Sequence, residues 1–435
     1  MDYAGEVAIS GRCYGVLTNV TQAPDVLVVG PIGARDLCLF PASSANLQAY
    51  HRLTGQVPEA VTFSRGDFIV SPAQGGGAGE YIVEQLPYYT PDGCVTGLFS
   101  IVGANDALPG MIAHLEALDV QYYILHCPDV PCPKYLGVMF ESGQRYWSPT
   151  LSHHDLMMLF DPGLMPPEFF NSGIVVVATL PLPNAYAFAS ACKGLLIGQA
   201  FENYILGDHR HYVTDLVDCV WPDRCVLLNI NERELALISE FLGYWPGATG
   251  DNLAEHLEAG LESLIGALPR TVVLVGLGDN GVHVGCGLAS GRRRYYLPAI
   301  PGQWSFGVGA GDTALASALG TLLRRLMKKG CPLNEALDGM TCFTVEDWLA
   351  LARSFVEGGF VGNSIVDAYT PLETREELIG LAKKRAEGLA LCEAHSFNQV
   401  NGLRSTGAYE TEMMLQERAV DREMEGVLYD TFGHI

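Results

Sequence analysis

The sequence predicts an α/β protein, a central and mostly parallel sheet with helices on both faces. Three observations predict it. Short, almost wholly apolar runs occur at residues 26–29, 173–177, 225–229 and 272–275. Runs without polar alternation suit strands covered on both faces, as in a parallel sheet. Segments with helical spacing lie between such runs, among them 111–118 and 313–327. Strand alternating with helix is the pattern of a parallel sheet. The composition agrees: 49% hydrophobic and 17% charged residues over 435 positions can fill a large core.

Taken in order, residues 16–30 hold two apolar runs, the second being the strand at 26–29. Residues 31–65 are mixed and show no clear period. Phe68-Ile69-Val70 is a short strand leading into Gln74-Gly75-Gly76-Gly77-Ala78-Gly79, after which Tyr81 begins a helix signal. Residues 98–102 and 120–125 read as strands around the helix at 111–118. Residues 136–147 alternate around Ser142-Gly143, the pattern of a β-hairpin. Residues 194–198 add a strand, and Arg292-Arg293-Arg294 opens an edge-like strand with a solvated basic face. The helix at 313–327 ends in Arg324-Arg325, which suits the negative end of its dipole. Residues 345–435 are increasingly helical and charged, and from about 395 the apolar period fades.

The formal net charge is −23, from 49 acidic and 26 basic residues. Such a surface repels nucleic-acid phosphates, so no DNA or RNA partner is expected. It leaves room for a nucleotide, whose phosphates backbone N–H groups can hold. The 12 cysteines are scattered with no Cys-x-x-Cys pair, as in a reducing cytosol, and Cys127 with Cys132 makes no zinc pattern. No apolar stretch is long enough to span a bilayer and the N-terminus reads as no signal peptide, so a cytoplasmic protein is expected.

The segment that carries chemistry is Gly309-Ala310-Gly311-Asp312, at the start of the long helix signal. Glycines permit close approach of another molecule. The first N–H groups of a helix lack intrahelical partners, and the dipole is positive there. Gly309, Ala310 and Gly311 can therefore form an anion hole, with Asp312 placed to accept a proton from a hydroxyl. The same residues also read as a glycine turn with Asp312 as a plain cap. Asn231 and Glu234 lie three apart and can organise a hydrated Mg2+ ion, or equally cap a helix. Gly276, Gly278 and Gly281 follow an apolar strand and give either a nucleotide-binding turn or an ordinary hairpin turn. Gly75, Gly76 and Gly77 offer bare backbone amides to a polar ligand. His153-His154-Asp155 and His209-Arg210-His211 complete no metal pattern, and no Gly-x-Ser-x-Gly or Walker-type P-loop segment occurs.

Taken together, in this order, these segments resemble the ribokinase-like superfamily, which includes PfkB sugar kinases and ADP-dependent glucokinases and phosphofructokinases. The resemblance covers roughly residues 15–325 and includes Gly103-Ala104-Asn105-Asp106 with Gly110. It implies a Rossmann-like domain over 1–330 with a small β lid drawn from about 13–30 and 136–147, and a helical C-terminal extension over 331–435 that completes or flanks it. It implies that Asp312 activates the acceptor hydroxyl, that Gly309–Gly311 bind the moving phosphoryl, and that Asn231 and Glu234 organise magnesium. Gly276, Gly278 and Gly281 would bind the nucleotide, and Asp25, Gly75, Gly76 and Gly77 would face the acceptor.

The expected reaction is transfer of the terminal phosphoryl of a nucleotide, ATP ahead of ADP, to a hydroxyl of a sugar or nucleoside. A homodimer is allowed. The alternative is a ribokinase-like protein that binds a sugar, nucleotide or protein partner without turnover. Three departures from the PfkB pattern motivate it. Phe306-Gly307-Val308 replaces the usual Asp-Thr-x before Gly-Ala-Gly-Asp, and that Asp is linked in the family to a monovalent-cation site. Gly77 and Glu80 stand where an Asn usually contacts the sugar, and Gly276 replaces the Thr of the nucleotide turn.

Overall fold

The computed structural model describes residues 5–9, 12–33, 35–44, 47, 51, 59–63, 66–72, 76–132, 134–139, 145–149, 156–157, 159–199, 210–243, 253–287, 293–300, 309–332, 335–364, 372–390 and 392–393. Its strands are β1 (Gly5–Ile9), β2 (Arg12–Thr18), β3 (Val26–Val29), β4 (Arg35–Pro41), β5 (Glu59–Phe63), β6 (Gly66–Pro72), β7 (Thr96–Ala104), β8 (Gln121–Pro131), β9 (Lys134–Met139), β10 (Arg145–Pro149), β11 (Ile174–Val177), β12 (Leu195–Gln199), β13 (Cys225–Asn231), β14 (Val272–Gly276), β15 (Val282–Cys286), β16 (Arg293–Leu297) and β17 (Cys392–Glu393). Its α-helices are α1 (Ala78–Tyr89), α2 (Leu108–Ala117), α3 (Leu182–Ala191), α4 (Arg210–Asp215), α5 (Glu232–Phe241), α6 (Leu253–Ala267), α7 (Ala310–Lys328), α8 (Ala336–Gly339), α9 (Val345–Ser364) and α10 (Leu372–Ala386).

Twelve strands form one sheet in the order β1-β2-β8-β7-β3-β11-β12-β13-β14-β15-β16-β17. The seven from β8 to β14 in that order run parallel. Their apolar runs bury both faces. Val26 and Val28 join one core layer, with α1, α2, α7, α9 and α10. Leu27 and Val29 join the other, with α3, α5 and α6. Each such side chain contributes about 1.5–3 kcal/mol when fully buried. The chain leaves β3 for β7 on one side and later lays β11 on the other. This reversal opens a crevice at the carboxyl ends of the strands, where ligands bind in open α/β sheets.

A second sheet, in the order β10-β9-β4-β6-β5, forms the lid-like layer. The antiparallel pair β9–β10 belongs to it. The strands at 12–18 and 26–29 do not, which corrects the expected make-up of the lid. They extend the large sheet instead, β2 pairing with β8 and β3 with β7 and β11. The lid draws on 35–41 and 59–63, in the stretch whose sequence shows no clear period, and on 66–72, which holds the strand expected at 68–70.

The C-terminal part packs closely on the rest. On α9, Gly358 and Gly362 let the helix approach α7; a Cβ on Gly362 would lie 2.6 Å from Ala310. β17 pairs with β16. Arg375 on α10 is fully buried and donates to Glu84 Oε2 on α1 at 2.8 Å. The basic triplet is not a solvated face throughout, because the Arg294 guanidinium pairs with Glu258 and Glu262 on α6. Burial lowers its pKa to about 10. Among the described residues, no helix is long and apolar enough to cross a membrane.

Candidate active site

The carboxyl ends of the parallel strands carry Asn231 on β13 and Gly276 on β14. Helix α7 starts beside them. Gly309 caps it in the left-handed region at φ 67°, with no side-chain cap bond. A Cβ here would lie 2.5 Å from the Tyr81 ring, so glycine is required by both backbone and space. At Gly311 a Cβ would meet nothing within 4 Å, and the residue is exposed. The first turn of α7 is thus open to a visiting group. Its N–H groups are the kind that bind anions.

Asp312 stands in that first turn, half-buried. Burial raises its pKa from 3.8 to about 6, against a lowering by a hydrogen bond from Gln199. Gln199 Nε2 donates to Asp312 Oδ1. Gln199 ends β12 and was not singled out from the sequence. It belongs to no motif, and only its place one residue past the apolar run at 194–198 marks it. From β13, Asn229 Nδ2 donates to Gly311 O at 3.3 Å and ties the loop to the sheet.

Asn231 and Glu234 lie where β13 passes into α5, on the same edge of the sheet. They form a reciprocal cap: Asn231 N–H donates to Glu234 Oε2 at 2.7 Å, and Glu234 N–H to Asn231 Oδ1 at 2.9 Å. Among the described residues, no group of three or more His, Cys, Asp or Glu side chains is arranged to hold a metal. Gly276, Gly278 and Gly281 form the β14–β15 hairpin turn, with Leu277 N–H donating to Gly281 O at 2.8 Å. Gly278, at φ 56°, has open space above it; Gly281, at φ 108°, packs against the backbone of Leu297 to Ala299. The turn lies on the site edge, with Gly276 paired to Asn231.

Gly75 and Phe306-Gly307-Val308 lie outside the described residues. Gly76 and Gly77 precede α1 in close contact with the loop after β3; a Cβ on Gly77 would lie 2.5 Å from Pro31 O. Glu80, 1% exposed, ties these loops together. Its Oε2 accepts from Gly33 N–H at 2.9 Å and Gly76 N–H at 3.2 Å. Gly33 O in turn accepts from Asn105 Nδ2 at 2.8 Å and Cys132 Sγ at 3.0 Å.

Asp25 is misplaced by the sequence reading. It precedes β3 and its Oδ2 accepts from Val95 N–H at 2.9 Å, just before β7. It therefore caps the amino edge of the sheet, whereas Gln199 and Asp312 meet at the carboxyl edge. A four-residue strand separates those edges by roughly 13 Å at 3.3 Å per residue. The physical reason is topological: β2 lies before β3 as an antiparallel neighbour of β8, so the residue following the first apolar run enters the parallel array from below. The first acidic residue beyond the carboxyl end of β3 is Asp36, at the start of β4.

No family model matches the chain. No curated protein matches it in sequence either. Solved structures do. It is similar to a ribokinase from Giardia lamblia, with a TM-score of 0.56, 17% identity, 83% of this chain and 99% of that one. It is similar to a ribokinase from Cryptococcus neoformans var. grubii serotype A in complex with ADP, with a TM-score of 0.54, 16% identity, 84% of this chain and 100% of that one. A Burkholderia thailandensis nucleoside kinase in complex with inosine matches at a TM-score of 0.52 and 14% identity, over 83% of this chain and 97% of that one. Each likeness covers more than four-fifths of this chain. The chain has the ribokinase-like fold.

Proposed function

We propose that the protein is a phosphotransferase that moves the terminal phosphoryl of a nucleotide, ATP ahead of ADP, to a hydroxyl of a sugar or nucleoside. The observation that carries this reading is Asp312 in the open first turn of α7, raised to a pKa of about 6 and held by Gln199. A base tuned near neutrality accepts a proton efficiently from a hydroxyl that is being phosphorylated. The amides of Gly309, Ala310 and Gly311 stabilise negative charge on the transferred group, which is most of what such a reaction asks of a protein. The ADP in the Cryptococcus ribokinase and the inosine in the Burkholderia kinase support a nucleotide and a ribose-bearing acceptor here by analogy.

The remaining roles are those that the resemblance implies. Gly276, Gly278 and Gly281 border the nucleotide, and Gly75, Gly76 and Gly77 border the acceptor. Asn231 and Glu234 already serve as a helix cap, so they fit a hydrated Mg2+ ion met through water rather than a closed cage. Magnesium carried by the nucleotide supplies charge neutralisation at the phosphate oxygens. Residues 1–330 act as the catalytic domain and 331–435 complete it.

Asp312→Asn tests the reading. Nucleotide affinity stays within about twofold, and turnover in a coupled assay over sugars and nucleosides falls roughly 10²–10⁴-fold. Turnover within threefold of wild type sinks the mechanism. A binding protein without turnover is the second reading, favoured by the commitment of Asn231 and Glu234 to capping. Ligand-induced thermal shifts with no product from any donor and acceptor pair would select it.

A further inference from the structure

The amide of Gln199 is split between two environments. Its nitrogen donates to Asp312 Oδ1. Among the described residues its oxygen has no hydrogen-bond partner, and it is buried on a residue only 7% exposed. Buried amide oxygens are almost always satisfied in native proteins, and an exception at a site calls for a donor from outside the chain. The nitrogen and oxygen cannot trade places, because only the N–H side of an amide can face a carboxylate.

We infer that Gln199 is the positioning residue of this site: its N–H group fixes the Asp312 carboxylate, and its oxygen accepts a hydrogen bond from a second hydroxyl of the acceptor. The inference rests in part on the phosphoryl-transfer reading. One oxygen of Asp312 is held by the amide, which orients the carboxylate for proton transfer. A polyol that presents two neighbouring hydroxyls meets Asp312 with one and Gln199 with the other. Two-point contact fixes which hydroxyl is phosphorylated, and an analogue lacking the second one leaves the amide oxygen desolvated and unpaired. The acceptor class is therefore a sugar or ribonucleoside with a free hydroxyl beside the reacting one.

The surroundings leave this bond a clear readout. Among the described residues, the groups facing the first turn of α7 are Gln199 from β12, Asn229 from β13, Tyr81 from α1, and Gly358 and Gly362 from α9. None of these is charged. The charged residues on the adjoining elements nearest those contacts in sequence are Glu80, Glu232 and Glu357. Burial and the Gln199 bond are the influences on the Asp312 carboxyl.

Gln199→Leu removes both contacts at similar volume. For whichever of D-ribose, D-fructose, adenosine or inosine is turned over, the acceptor KM is expected to rise at least tenfold and the acid limb of kcat/KM to move to higher pH, with nucleotide Kd unchanged within twofold. A merely structural role would shift the melting temperature and leave the pH limb in place. An unchanged acceptor KM together with an unmoved acid limb overturns the inference. Gln199→Asn, which keeps both functions on a shorter arm, is expected to recover part of both effects.

A second measurement needs no turnover and so separates this inference from the kinase reading. The melting-temperature difference between Asp312→Asn and its parent is followed from pH 4 to 8 in the wild-type and Gln199→Leu backgrounds. The pH at which the difference levels off, and with it the midpoint, is expected to rise in the Gln199→Leu background. The same midpoint in both overturns the Gln199–Asp312 coupling. Absence of product from every acceptor, with the midpoint shifted, overturns the kinase reading and leaves the coupling standing.

Discussion

Two helices begin on the same edge of the large sheet and differ in how their first turns are finished. Helix α5 closes itself, Asn231 and Glu234 exchanging bonds between side chain and backbone. Among the described residues, helix α7 is capped by the backbone of Gly309 alone, with space at Gly311. A first turn leaves N–H groups without intrahelical partners. Where the chain fills that need, the turn is a scaffold. Where it does not, the turn is available to a ligand. Helix α1 is of the first kind: Glu80 reaches back to Gly76 and across to Gly33. The site is thus one unfilled turn held between two filled ones.

The comparison breaks most visibly if the open turn is plugged. Gly311→Leu has room, so the fold should tolerate it, yet the side chain occupies the space a phosphoryl needs. Turnover should fall about 10²–10³-fold, close to the loss of an anion-hole donor, with melting temperature nearly unchanged. Gly309→Val acts the other way. A β-branched residue in the left-handed region, against the Tyr81 ring, should destabilise the protein by about 2–4 kcal/mol in denaturant unfolding. In the closed turn, Asn231→Ala removes one half of the cap and should cost about 1 kcal/mol of stability.

The smallest effect sharpens the electrostatics of the open turn. The folded protein holds the Asp312 proton more tightly than the unfolded chain, since the pKa is about 6 rather than 3.8. Stability from this group is present below 3.8 and is lost as pH rises through about 6. Asp312→Asn escapes that loss. Its melting temperature should exceed wild type by a few degrees at pH 7.5, the gap closing toward pH 4.

The parallel sheet was legible because burial on both faces removes polar residues from its strands. The runs at 26–29, 173–177, 225–229 and 272–275 became β3, β11, β13 and β14. The lid strands β4 and β5 were hidden in the stretch from 31 to 65, where the residues carry no steady alternation. The motif at Gly309–Asp312 was readable because close approach demands glycine. Gln199 was not, since its importance comes from β12 ending beside α7, a long-range fact with no local spacing. Asp25 was read on the wrong edge because direction through a sheet depends on which strands precede in space, and the antiparallel start β1–β2 does not announce itself in composition.

The clamp at Gly33 has a mechanical consequence. The chain passes between the two sheets four times, at 29–35, 72–78, 131–134 and 149–156. The first three passages meet at one point, through Glu80 on Gly33 and Gly76 and through Cys132 on Gly33. Three of the four crossings are therefore held together by hydrogen bonds as well as by the chain. Changes at the far tips of the second sheet leave that junction in place, so its outer strands can vary in length without disturbing the large sheet.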